Sequence, residues 1–321
     1  MKQTTNDLYP LVMEPSFRHG SETPWGGHAL KEQFGKDTPD NETGESLEMS
    51  ALPGHESRIA NGVYKGKTLQ DIFLLAGSRL TGQKESAFPL LLKLLDAREK
   101  LSVQVHPDDA YAMAREKKTG KSEAWYILDA KPGAKLVYGI DTLGKDLKSV
   151  VENNELESCL CWVDAHPGDV FYIPSGTVHA LGPGIQCYEI QQSSDVTYRF
   201  WDWGRVGADG KPRELHTRQA ISVSKPDFRP GKKASGEDHQ AGGTSALLVE
   251  DPHFRLFTVD LHGKYSLPAG KMLFLTATDA CTISWDEQEQ EIKPWQSVLI
   301  PAEMGKADIR GDCRILVSCA A

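Results

Sequence analysis

The sequence predicts a mostly β protein: a β-barrel or sandwich followed by a second, smaller β unit, with a few short helices. Three observations predict it. From Asp164 onward short apolar runs (DVFYIP, IQCYEIQQ, VTYRFWDW) alternate with Gly/Pro turns, and runs of that length bounded by turn residues are strand signals. After a polar stretch the same rhythm resumes in FRLFTVDL, KMLFLTA, CTISW, SVLIP and RILVSC. Helical periodicity is confined to a few brief segments.

In chain order, residues 1–60 are rich in Gly, Pro, Thr and Glu and read as loops and short strands. Thr68 to Leu80 has apolar residues at helical spacing, with Thr68 as its N-cap. FPLLLKLLDA and LSVQVHP are strands bounded by proline or charged turns. DDAYAMAREKK is a helix whose two opening aspartates suit the positive end of a helix dipole. SEAWYILDA is a strand, and TLGKDLKSVVENN and PRELHTRQAISV are short helices. Residues 224–244 are polar, rich in Gly and Lys, and expected to form an exposed linker. The expected division is therefore a catalytic domain at 1–223, the linker, and a C-terminal β unit at 245–321. Within that unit WQSVLIPAEM loosely echoes GDVFYIPSGTVH, an internal duplication whose second copy lacks the histidine.

Bulk properties narrow the function. The 321 residues, 39% hydrophobic and 25% charged, sit in the ordinary globular range. A formal net charge of −9 argues against a nucleic-acid or anionic-membrane surface, both of which require a basic face. It does not exclude an anionic small substrate, since a few local cations and a metal dominate inside a pocket. The 6 cysteines form no CxxC pair, and Cys159-x-Cys161 reads as two thiols rather than half a metal site; free thiols point to a reducing compartment. No apolar signal segment opens the chain and no long apolar run occurs, so the expected location is the cytoplasm. A monomer or a homodimer is expected.

Three motifs carry chemistry. GDVFYIPSGTVH, residues 168–179, has the spacing G-x5-P-x-G-x2-H. Pro174 ends a strand, Gly176 permits a tight reversal, and His179 is aimed back into the barrel mouth. In LSVQVHPDDAY strand alternation puts Ser102, Gln104 and His106 on one face, opposite the aliphatic set. In GKSEAWYIL it pairs Lys121 with Glu123 just before an apolar stretch. Gln104, His106, Glu123 and His179 together offer an amide oxygen, two imidazoles and a carboxylate. This N/O set suits zinc, and also Mn, Fe or Co.

The 168–179 motif resembles the second conserved motif of the cupins, whose fold is a double-stranded β-helix, or jelly-roll, barrel. VQVHPDD, the KSE after a helix, and PSGTVHALGPG with YEIQQSSDVTYR resemble the type I mannose-6-phosphate isomerase family. WGG at Trp25 to Gly27 and ANGVYKGKTL at Ala60 to Leu69 are similar to family segments. The likeness is dense from about Pro24 to His216, and the short separation of Glu123 from His179 suits a bacterial form without a helical insertion. The resemblance implies one zinc ion per chain held by Gln104, His106, Glu123 and His179. It implies active-site roles for Lys93, Lys121, Glu189 and Arg199, with Ser102 near the substrate phosphate. The reaction implied is interconversion of mannose 6-phosphate and fructose 6-phosphate through an enediol(ate). In that reaction Arg199 holds the enediolate or the phosphate, Glu189 and Lys121 move the proton, and Lys93 holds a hydroxyl or tunes its neighbours. Lys93 lies in LLLKLL, too apolar for an exposed edge, so it is expected to point inward and be paired. Asp195 matches a family aspartate and serves equally well to fix a turn. The other histidines read as structural or exposed. The rival readings are another metal cupin enzyme, such as an iron dioxygenase, and a non-catalytic sugar-binding cupin. The first usually carries an HxH pair, where this chain has Gln104 in place of the first histidine.

Overall fold

The computed structural model describes residues 8–206, 210–226 and 237–321. It is mostly β, with antiparallel sheets and short helices, and the described residues fall into two compact units. One takes the described residues of Met1–Ser16, Leu47–Leu92 and Lys233–Ala321; the other takes Phe17–Ser46 and Lys93–Lys232. Among the described residues no helix is long and apolar enough to cross a membrane.

The second unit carries all the candidate residues. Its residues fall in two sheets, residues 16, 47–49 and 90–92 of the first being assigned to the other unit. One runs in the order Val170–Ile173, Glu123–Ala130, Ile185–Gln192, Leu90–Ala97, Thr43–Met49, Ser16–His19. The other runs Tyr198–Trp201, Val103–Val105, His179–Ala180, Lys135–Ile140, Leu160–Asp164. Strand alternation explains the interior. Leu95 and Ala97, Trp125 and Ile127, and Ile185 and Cys187 fill one apolar core with Leu136 and Leu181 from the facing sheet. The same inner faces continue, two residues on, into Lys93, Glu123 and Glu189. Each strand therefore switches from apolar to polar at a common level. The apolar level packs the barrel and the polar level is free for chemistry.

The first unit is built on a sheet in the order Glu237–Gln240, Gly243–Glu250, Phe254–Ser266, Asp308–Ala320, Leu273–Ala277, Ser297–Ile300, Leu11–Glu14, Arg58–Ile59. Leu11 and Val12 pair with Leu299 and Val298, so N-terminal residues that the sequence groups with the catalytic domain supply strands to the C-terminal sheet. Of the stretch expected to be a linker, 237–240 and 243–244 instead belong to a hairpin, whose second strand, Gly243–Glu250, runs on into the expected β unit. Its edge strand is polar on both faces, which hides it from a periodicity argument. Residues 227–236 of that stretch lie outside the described residues.

Local signals set most element ends. Thr68 caps the Leu69–Ala76 helix in a reciprocal pair with Asp71. The helix stops short of Leu80 because Gly77 takes φ 51, and a separate turn, Ser78–Thr81, follows. Asp108 caps Asp109–Glu116 by accepting from Tyr111 N. The remaining two predicted helices shorten to Leu147–Glu152 and Thr217–Val223.

Candidate metal centre and active site

Register brings the motifs together. On the Val103–Val105 strand Gln104 lies opposite His179 on one side and opposite Arg199 on the other. His106 follows that strand directly, and its carbonyl accepts from Gly176 N at 2.8 Å, which ties the two histidine motifs together. Gly176 has φ +90 and a Cβ there would lie 2.9 Å from Val223 O and from Lys225, so only glycine makes this reversal. Gly120 allows a close backbone approach: a Cβ would lie 2.5 Å from Asp109 N. Lys121 N then bonds Pro107 O at 3.0 Å, and Glu123 enters the barrel beside His106.

His106, Glu123 and His179 are buried, and their donor atoms lie within 4.8 Å of one another. Glu123 Oε1 is 3.1 Å from His179 Nε2, and Oε2 is 3.5 Å from His106 Nε2. The tautomers follow from the outer partners. Nδ1 of His106 lies 2.9 Å from Val196 O, and Nδ1 of His179 lies 2.8 Å from Thr177 O. A carbonyl only accepts, so each Nδ1 donates, and in the neutral ring that leaves Nε2, on the side of Glu123, as the nitrogen able to ligate. Among the described residues neither oxygen of Glu123 makes a well-aligned hydrogen bond. Two lone pairs and a carboxylate facing one point without protons repel one another and call for a cation. The Lys121 ammonium already plays that part for two of the donors, at 2.6 Å from Glu123 Oε2 and 3.1 Å from His106 Nε2. Gln104 places its amide 3.3 Å from His179 Nε2, and turning that amide over presents its oxygen instead. The donor set fits a divalent metal.

Protonation agrees. Burial, with the nearby Lys121 next, holds His106 well below the usual imidazole range, so it is neutral and free to ligate. Burial opposes ionisation of Glu123, but the Lys121 ammonium, the largest opposing influence, overrides it and keeps the carboxyl ionised well below its ordinary range.

A second cluster adjoins the first. Lys93 is buried between two carboxylates, with Nζ 3.3 Å from Glu45 and 3.2 Å from Glu189. Burial lowers its pKa, but Glu45 and then Glu189 more than compensate, so it stays an ammonium. Trp125 joins the two clusters: its indole N–H donates to Glu189 Oε2 at 2.7 Å, and its ring meets His179 edge-on at 5.4 Å. Glu45 was not among the residues singled out from sequence. Its signal is a glutamate on the same strand face as the buried Leu47 and Met49. Arg18 also faces Glu45, at 3.5 Å.

Arg199, partly exposed, donates through Nε to Ser102 Oγ at 3.2 Å and through Nη1 to Glu214 O at 3.0 Å. Asp195 is apart from these groups, ion-paired with Lys118 at 2.7 Å on the exterior. Cys159 is buried in an apolar core, and all 6 cysteines are free thiols.

Comparisons with known proteins identify the relatives of the chain. Residues 18–133 match the family profile of the type I phosphomannose isomerase catalytic domain. The mannose-6-phosphate isomerase ManA of Bacillus subtilis is 38% identical over 315 residues, covering 96% of this chain and 98% of its own length. The mannose-6-phosphate isomerase of Streptococcus mutans is 35% identical, covering 92% and 94%. A crystal structure of a mannose 6-phosphate isomerase from Bacillus subtilis superposes with a TM-score of 0.91 at 34% identity, covering 97% of this chain and 99% of that one.

Proposed function

The chain belongs to the type I phosphomannose isomerase family, and from that premise we propose that it is a zinc-dependent isomerase interconverting mannose 6-phosphate and fructose 6-phosphate. The observation that carries the reading is the buried His106–Glu123–His179 group, whose donor atoms all lie within 4.8 Å of one another. Gln104 is the fourth candidate ligand. A divalent zinc bound there supplies Lewis acidity to the C1 and C2 oxygens of the sugar.

The chain's own groups supply the rest. Aldose–ketose isomerisation moves a proton between C1 and C2, and negative charge develops on oxygen along the way. Lys121 is a fixed cation at the centre, aimed where that charge appears. Glu189 and Lys121 are the proton-transfer pair. Glu189 is oriented by the Trp125 indole and held beside Lys93, which fits a carboxylate that must be fixed in place before it takes a proton. Lys93, pinned between Glu45 and Glu189, presents its remaining N–H to a sugar hydroxyl. Arg199 and Ser102 take the phosphate end. The hydroxyl at Ser102 and the guanidinium at Arg199 are matched to a dianion; Arg199 pairs with Gln104 from the neighbouring strand, and Ser102 stands two residues before Gln104 in the chain. The 6 free cysteines support a reducing, cytoplasmic setting.

Metal quantification combined with an isomerase assay coupled to glucose 6-phosphate formation tests the reading. Activity on mannose 6-phosphate should vanish on chelation, return with zinc, and be almost absent in His179→Ala. Full turnover by a metal-free preparation would refute it.

A further inference from the structure

Both hydrogen bonds that orient the Arg199 guanidinium trace back to one buried carboxylate that takes no part in the chemistry above. Asp202 is 4% exposed. It accepts from Arg213 twice, at Nε and Nη2, both at 2.7 Å. It also accepts from Arg205 Nη1 at 3.0 Å. Arg213 is followed in the chain by Glu214, whose carbonyl receives Arg199 Nη1. Arg205, through Nη2, grips the carbonyl of Lys100 at 2.6 Å. Two residues further along stands Ser102, whose hydroxyl receives Arg199 Nε. The indole N–H of Trp203 takes the intervening carbonyl of Leu101 at 2.7 Å.

Trp203 sits at φ 59, a conformation that costs a bulky residue about 1–3 kcal/mol and persists only where surrounding contacts enforce it. The segment from Asp202 to Arg205 is therefore a clasp closed on Lys100 and Leu101, and Asp202 extends the same clasp to Arg213. Among the described residues Nη2 of Arg199 has no protein acceptor, which leaves that edge of the guanidinium to a ligand. Burial and then the charge of Arg213 lower the Arg199 pKa.

We propose that Asp202 is a positioning residue for the phosphate end of the substrate: it fixes Arg213 and Arg205, and through the Glu214 and Lys100 carbonyls it aims Arg199 and Ser102 at the dianion. The inference rests on the phosphate assignment of Arg199 and Ser102 made above. It also gives a reason for burying a carboxylate beside an anion site, where a free one would repel the ligand. Shared between two arginines, Asp202 is held in ion pairs rather than left free to face the ligand.

The test is Asp202→Asn in the zinc-loaded enzyme, with Arg213→Lys as the second variant and Arg199→Gln as the control. Three quantities are read: kcat, KM for mannose 6-phosphate, and the Ki of inorganic phosphate as a competitive probe. In Asp202→Asn both KM and the phosphate Ki should rise about tenfold while kcat stays within about threefold, because the loss falls on binding of a remote group. Arg213→Lys keeps the charge but loses the two-pronged geometry, and it should move the same two quantities in the same direction. A merely structural lesion lowers the active fraction, and with it kcat, and leaves KM and Ki where they were. If Arg199→Gln weakens phosphate and neither of the other variants does, the positioning role is wrong while the phosphate assignment stands. If Arg199→Gln leaves the phosphate Ki unchanged, the assignment itself fails and the inference falls with it.

Discussion

Replacing Glu123 by glutamine removes one negative charge and almost no volume, and the structure says what that charge is worth. The side chain is wholly buried. Its two oxygens face His179 Nε2 at 3.1 Å, His106 Nε2 at 3.5 Å and the Lys121 ammonium at 2.6 Å. Removing one member of a buried charge pair costs about 3–5 kcal/mol, since the other charge is left uncompensated. For a bound dication the same loss corresponds to about 10² to 10⁴ in affinity. Glu123→Gln should therefore lose its metal on dialysis against a moderate chelator under conditions where the wild type retains it. Zinc titration should show an affinity lowered by that factor, and isomerase activity should fall with metal content. The glutamine also turns an NH2 group toward lone pairs that already lack protons, so added zinc should restore activity only at high concentration. Metal content and turnover both within about threefold of wild type, with native circular dichroism, would contradict a model in which Glu123 is a ligand.

Three further outcomes follow from the same geometry. Lys93→Met leaves Glu45 and Glu189 buried without their shared cation, so thermal unfolding should show a loss of about 3–5 kcal/mol, with activity lost even in the folded fraction. Burial raises the Glu45 carboxyl, but Lys93 first and then Arg18 and Lys121 bring it below its ordinary value. A depressed folded pKa contributes stability above the unfolded pKa that is lost as pH falls through the folded one. Denaturant melts at falling pH should therefore show a shallower acid loss in Glu45→Gln than in wild type, and an equal slope would remove Glu45 from the linkage. Gly176→Ala forces φ +90 on a residue with a Cβ, 2.9 Å from Val223 O. It should cost about 1–3 kcal/mol and displace His179, so stability and metal content should fall together.

Much of this was legible in the sequence because the signals are local. A short apolar run between turn residues is a strand whatever surrounds it, and Thr68 with Asp71 declares a helix start from side-chain chemistry alone. Alternation along LSVQVHP placed Ser102, Gln104 and His106 together, and those positions meet Arg199, His179 and Lys121 respectively. The glycine in PSGTVH announced the reversal that aims His179. The apolar context of Lys93 predicted a buried, paired ammonium, which is what Glu45 and Glu189 make of it.

What the sequence by itself determined, then, is the class of the fold, the candidate donors and the faces on which they stand. What only tertiary structure decided is which strands are neighbours. Hydrogen bonding between backbone edges carries no residue code, so nothing near Leu11 reveals that it pairs with Leu299, and nothing in the polar 237–240 run reveals a strand. The same holds for Glu45 and Asp202. Each is an unremarkable acid until remote strands deliver a lysine or two arginines to within bonding distance, and a long-range contact of that kind is set by the packing of the whole chain rather than by any window of it.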